Sequence, residues 1–170
     1  EAVSAALEDP AFASAALAAR RAALAARASP RLGPAASGAF STLARAAYAR
    51  AVELAGAAGT MDEAAEDEAL EGLLDLRETR SFLDAADRGE GDGAWERLLL
   101  ALGASTTLPA LAGAASALAW IDGLADEVAL AERVRSRLGP GSDPTDSTRF
   151  LGGVMAAAPE LAQRLPSLAE

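Results

Sequence analysis

Apolar residues recur along this chain at helical spacing, and Gly and Pro cut the pattern into segments. Asp9-Pro10 supplies a cap and a proline at the first helical position, which predicts a helix running to about Ala28, where Ser29-Pro30 stops it. Its stripe reads Ala13, Leu17, Leu24 and Ala28. Gly33-Pro34 opens a second helix with Phe40, Leu43, Ala44, Ala47, Ala51 and Leu54 on one face, ended by the glycine-bearing stretch 56–59. Tyr48 reads as packing. These two helices are expected to form an antiparallel hairpin. Thr60-Met61-Asp62-Glu63 has the form of a capping box at the head of a third helix, whose stripe is Ala69, Leu73, Leu76 and Leu83. Gly89-Glu90-Gly91-Asp92-Gly93 then reads as a plain turn.

The longest uncharged stretch, 98–121, is the expected core. It reaches the roughly 20 apolar residues of a membrane span. Its Ala and Gly contribute little transfer free energy, however, and Ser105-Thr106-Thr107 with Pro109 breaks it in the middle. A broken helix pair is the simpler account. Trp95, Leu98, Leu99 and Leu102 form the stripe of a short helix closed by Gly103 in a left-handed conformation. Thr106 or Thr107 is then expected to cap a helix of about 108–122, apolar nearly all round and therefore covered by neighbours on several sides. After Gly123 comes a helix with Leu124, Val128, Ala131, Val134 and Leu138 as its stripe. Asp143-Pro144 starts the next, with Phe150, Leu151, Val154, Met155 and Ala158 inward, and Gly152-Gly153 is expected to permit a close helix crossing. Leu161, Leu165 and Leu168 mark a last segment that begins or kinks at Pro159.

Composition agrees with helix at nearly every position. Alanine makes up about a quarter of the 170 residues and aromatics 4%. The chain has no Cys, His, Lys or Asn. That removes disulfides, zinc fingers, thiol nucleophiles, Ser-His-Asp triads, Glu-x-x-His di-iron sites, Walker A loops and Schiff bases. No cofactor, no metal and no catalysis of its own are expected.

The net charge of −10 argues against a general nucleic-acid-binding surface. Acidity is concentrated in 60–92, with 12 carboxylates against 3 Arg, whereas 1–59 carries 6 Arg against 4 acids. Arg20, Arg21, Arg27 and Arg31 therefore read either as a solvated face or as a surface for an acidic partner, the acidic segment of the same molecule included. Asp62, Glu63, Glu66, Asp67 and Glu68 read as a solvated helix start rather than a divalent-cation site, because one helix does not supply converging oxygens. Arg80 falls into the stripe of the third helix. If buried, it needs a carboxylate partner and becomes a candidate ligand-binding group with Arg77; if Ser81-Phe82-Leu83-Asp84 breaks the helix, it is exposed. Arg133, Arg135 and Arg137 alternate and cannot all face one way, so a shared anion site is not expected and they read as compensation of a helix end.

Pro109-Ala110-Leu111-Ala112-Gly113, Asp122-Gly123-Leu124 and Arg149-Phe150-Leu151-Gly152-Gly153 resemble part of a large bacterial family of uncharacterised proteins. That family is associated with operons encoding a MoxR-type AAA ATPase, a von Willebrand A-domain protein and a SWIM zinc-finger protein. The resemblance covers the C-terminal third to half of the chain and brings no catalytic or binding residue with it. It implies a bacterial cytoplasmic protein with an AAA ATPase or von Willebrand A-domain protein as partner. The opening residue, Glu1, reads as the end of a piece of something longer.

Together these features predict an all-α fold of about seven or eight helices in successive antiparallel hairpins, a bundle or short helical array. The expected organisation is one domain over 1–170, with an N-terminal hairpin (1–59), an acidic helix region (60–92) and apolar core helices (93–170). The expected function is a helical scaffold or protein-interaction module of a larger assembly, with a protein partner and neither membrane nor nucleic acid. The alternative is a small-molecule-binding or enzyme-accessory domain using Arg and carboxylate side chains in a cleft. Converging Arg and Asp/Glu from different helices would favour the latter, and a broad exposed apolar or acidic face the former.

Overall fold

The computed structural model describes residues 12–55, 65–83, 88–105 and 107–163. Over these residues the chain is all-α, with seven α-helices, two short 3-10 helices and no strand. The α-helices are α1 (Phe12–Ala28), α2 (Pro34–Ala55), α3 (Glu66–Phe82), α4 (Glu90–Gly103), α5 (Pro109–Ile121), α6 (Glu127–Leu138) and α7 (Pro144–Ala157). The 3-10 helices are Ser29–Leu32 and Pro159–Gln163. The expected boundaries at Asp9-Pro10, 56–59, Thr60 to Glu63, Leu165 and Leu168 lie outside the described residues. No helix among the described residues is long and apolar enough to cross a membrane.

The helices fall into two compact units. The first comprises Glu1–Thr60 and Glu71–Trp95, the second Met61–Leu70 and Glu96–Glu170.

In the first unit α1 and α2 pack most extensively, joined by the Ser29–Leu32 turn and Gly33. The buried face of α1 is made of Ala15, Ala18, Ala19, Ala22 and Ala23, not of the leucines the spacing suggested; Leu24 is 42% exposed and Ala28 is exposed. The facing stripe of α2 is Ala44, Ala47, Ala51 and Ala55 with Tyr48 and Val52. Burying one methyl contributes only about 0.8 kcal/mol, so this interface depends on the close approach that alanine allows. Phe12 and Ala13 lie against Gly72, Arg20 meets Asp75 and Glu78, and Arg27 stacks on Phe82 at 5.3 Å. Positions rise together along both helices, so α1 and α3 run parallel, as an up-down-up order requires. Tyr48 is buried and packs on Gly91, where a Cβ would come within 2.7 Å of its ring. Gly91 and Asp92 therefore belong to the first turn of α4, and the glycine-rich segment is a helix start instead of a plain turn.

In the second unit α5 is buried at every position from Pro109 to Ala119, as its lack of a polar face predicts. Its main partner is α7, and the two backbones meet at a pair of glycines. A methyl on Gly113 would fall on the Phe150 carbonyl oxygen, and one on Gly153 would fall on that of Ala110. Gly152 faces open space. Leu98, Leu99 and Leu102 of α4 are buried in this unit with Leu108, Leu111 and Leu118, each worth roughly 1.5–3 kcal/mol when fully buried.

Two expected details of α5 differ. Gly103 is the last residue of α4 and has no positive φ, and Leu108, not Thr107, occupies the N-cap of α5, with no side-chain bond; Thr106 lies outside the described residues. The first turn is satisfied from afar, because Leu111 N–H donates to Glu66 Oε1 at 3.1 Å. Glu66 is fully buried, not solvated, and its Oε2 lies 2.7 Å from Arg149 Nη2, a close ion pair outside hydrogen-bond angles. Asp67 of the same turn is exposed. At its other end α5 closes as expected at Gly123: Gly123 N–H donates to Trp120 O and Leu124 N–H to Ala119 O, with Gly123 at φ 74°. This pair of bonds is a Schellman motif.

Candidate functional site

The second unit contains a cleft of about 710 Å³ bounded by α6, the start of α7 and the end of α4. That volume suits a small ligand. Asp126 starts α6 by accepting the Ala129 N–H at 2.8 Å. From there Ala129, Glu132, Arg133, Ser136 and Arg137, at i, i+3, i+4, i+7 and i+8, turn one face to the cleft. The inward face of the helix is Leu130, Ala131 and Val134; Val128 is 62% exposed and Leu138 37%, which corrects the stripe expected from spacing.

The opposite wall begins at Asp143, the N-cap of α7, whose Oδ1 accepts the Thr145 N–H at 2.7 Å and the Asp146 N–H at 3.4 Å. These backbone bonds, that of Thr145 first, hold the Asp143 carboxyl below the usual carboxylate range. Asp146 and Phe150 continue this wall, and Gly103 and Ala104 line the cleft from the end of α4.

Arg133 and Arg137 are only partly exposed, and they differ from the five arginines in carboxylate ion pairs. Arg20, Arg50, Arg80, Arg88 and Arg149 each pair with a carboxylate. Neither Arg133 nor Arg137 has a carboxylate within ion-pair distance among the described residues. Arg133 Nη1 donates to Ser116 Oγ at 3.3 Å, the one polar side chain on the buried length of α5. Arg137 Nη2 donates to the Ser105 carbonyl, and its guanidinium stands 5.7 Å from the Phe150 ring centroid. Both cations thus meet neutral oxygens near the C-terminal end of α4, where the helix dipole favours positive charge. A guanidinium has five N–H donors, and these bonds engage one of each.

Alternation does separate Arg135 from its neighbours, as the sequence implied; it leaves Arg133 and Arg137 four residues apart, on one stripe. The signal for the cleft was that i, i+4 pair together with Asp143 and Asp146.

The residues singled out from sequence lie in the first unit. Arg77 is exposed on α3. Arg80 is partly buried on an unbroken α3 and finds the carboxylate partner that burial requires, with Nε 3.0 Å from Asp92 Oδ1. Asp92 also accepts Arg88 Nε at 2.9 Å, and Arg88 Nη1 donates to Leu83 O at 2.8 Å. This cluster ties the end of α3 to the start of α4. Arg20 reaches Asp75 at 3.1 Å and Glu78 at 2.5 Å, so the acidic partner of the basic first helix includes the acidic segment of the same molecule. No group of three or more metal-ligating side chains occurs among the described residues.

Among the described residues the large apolar side chains left exposed are Leu24, Leu100, Val128 and Leu138. The last two share α6 but stand ten residues, about 15 Å, apart along its axis. Of the residues that carry the family resemblance, 109–113 and 149–153 contain the glycine crossing of α5 and α7 together with Arg149, paired with Glu66, and Phe150, which lines the cleft, and 122–124 form the turn after α5. No family model, curated protein or solved structure matches the chain.

Proposed function

We propose that this chain is a helical binding domain whose second unit receives a small molecule bearing a carboxylate or phosphate group in the cleft between α6 and α7. Arg133 and Arg137 bind the anion through N–H donors left over from Ser116 Oγ and Ser105 O, and Phe150 holds the Arg137 plane. The observation that carries this reading is the pair of part-buried guanidiniums, one turn apart in a cleft, satisfied by neutral oxygens alone. Such a cation keeps its full charge for an incoming anion.

The test is NMR observation of the arginine Nε–H signals during titration with acetate, succinate and inorganic phosphate. Selective shifts at Arg133 and Arg137, with affinity falling about tenfold in Arg133→Gln and in Arg137→Gln, are expected; about 1.4 kcal/mol corresponds to that factor. Unchanged affinity in both variants would remove the reading.

A second reading is a helical scaffold in a bacterial cytoplasm, for which the resemblance suggests an ATPase-linked partner. Copurification of a AAA ATPase or von Willebrand A-domain protein with the tagged chain is its test.

A further inference from the structure

The cleft has two walls of opposite net sign. On α6 Arg133 and Arg137 outnumber the one carboxylate of that face, Glu132, while Asp143 and Asp146 stand at the N-cap and in the first turn of α7, and no ion pair joins the walls among the described residues. Asp143 is held ionised by the backbone N–H groups it caps, and the Asp146 side chain is exposed. Opposite charges that face one cleft without closing on each other leave a field directed from α6 to α7. An apolar ligand without a dipole gains nothing from that field, and a simple anion is drawn to one wall and repelled by the other. A molecule with both charges, anion toward α6 and cation toward α7, gains from each wall.

We infer that the ligand of this cleft is a zwitterion of the amino-acid or short-peptide kind, its carboxylate on Arg133 and Arg137 and its ammonium on Asp146 and Asp143. This inference rests on the anion-binding reading of the same cleft and adds the second charge.

The experiment uses three matched series on the whole chain: ω-amino acids of increasing chain length, the carboxylic acids of the same lengths, and the corresponding amines. Binding is followed by calorimetry and by the Arg Nε–H and Asp carboxyl signals. At the best length, the ω-amino acid is expected to bind at least tenfold more tightly than the matched acid. Asp146→Asn combined with Asp143→Asn, which keeps a good N-cap, should reduce it to the affinity of the acid while leaving the acid no weaker. An acid that binds as well as its amino acid, with the arginine variants still weakening it, overturns the zwitterion and leaves the anion reading standing. Amines that bind as tightly as the amino acids, or no Arg133 and Arg137 response to any series, overturn both.

Discussion

The carboxylate of Glu66 accepts the backbone N–H of Leu111 at 3.1 Å, across 45 positions of sequence. Leu111 is the third residue of α5, a helix whose N-cap, Leu108, has no side-chain oxygen to offer. A buried helix start without a partner for its amides is costly, and a carboxylate there also meets the positive end of the helix dipole. Arg149 on α7 balances the charge. Replacing Glu66 by Ala removes the acceptor of Leu111 and the buried carboxylate against Arg149, so a loss of roughly 3–5 kcal/mol is expected. Glu66→Gln keeps an oxygen for Leu111 and should lose less. Urea denaturation measures both, and an alanine variant within about 1 kcal/mol of the parent would contradict this role.

Neighbouring glycines on α7 should respond with opposite signs. Gly153 has the Ala110 carbonyl where a methyl would go, and its counterpart Gly113 has the Phe150 carbonyl. The obstacle is backbone, which gives little, so Ala at either position should cost roughly 3 kcal/mol or more. Gly152 is helical, exposed and open. There Ala should stabilise by about 0.5–1 kcal/mol through helix propensity alone. Equal changes at 152 and 153 in denaturation midpoints would contradict the crossing.

Local chemistry made α-helical class, most boundaries and the burial of α5 legible in the sequence. Gly123 and Asp143-Pro144 act where they stand. The misread details depend on which face meets a neighbour. On α1 the sequence offered alanines and leucines on different stripes, and hydrophobicity favoured Leu17 and Leu24; close approach to α2 selected the alanines. Glu66 looked like one of five acids at a helix start, and only the position of α5 and α7 separates it from exposed Asp67. Gly89 to Gly93 looked like a loop because Tyr48, the reason for Gly91, is distant in sequence. The cleft was not read from the sequence: alternation of three arginines argued against a shared anion site, although Arg133 and Arg137 alone stand at i, i+4, and the wall bearing Asp143 and Asp146 comes from tertiary packing.

Two aspartates of the first unit should titrate in opposite directions. Burial alone would raise Asp92, but the hydrogen bonds from Arg88 and the charge and hydrogen bond of Arg80 outweigh it and hold it below the ordinary carboxylate value. A depressed folded pKa gives stability that is present above the unfolded value and lost as pH falls through the folded one. At neutral pH Asp92→Asn should therefore cost about 1–2 kcal/mol, a difference that shrinks at acidic pH. Asp75 behaves inversely: burial raises it, Arg20 only partly offsets this, and Glu78 and Glu71 add to it. Its ionisation opposes folding, and that penalty disappears as pH falls through its raised value. Carboxyl-carbon NMR titration checks both directions, and denaturation across acidic pH checks the stability consequence.

Gly103 separates stability from cleft chemistry. An added methyl there meets Arg133 Nη1, with Ser116 Oγ at 3.3 Å and the Arg133 Cζ at 3.4 Å. The nearest obstacle is the far end of a flexible side chain, which can swing away at small cost, unlike the carbonyls opposite Gly113 and Gly153. Alanine is also the better helix former, by about 1 kcal/mol at an exposed interior position and less at this terminal one. Gly103→Ala is therefore expected to stay within about 1 kcal/mol of the parent in stability while moving the Arg133 guanidinium off Ser116. Its arginine Nε–H signal should shift, and anion affinity should fall as in Arg133→Gln. Retained affinity with a shifted Arg133 signal would assign the cleft's anion binding to Arg137 alone. A large stability loss would show instead that Arg133 is clamped in place and serves chiefly to fasten α6 to the end of α4.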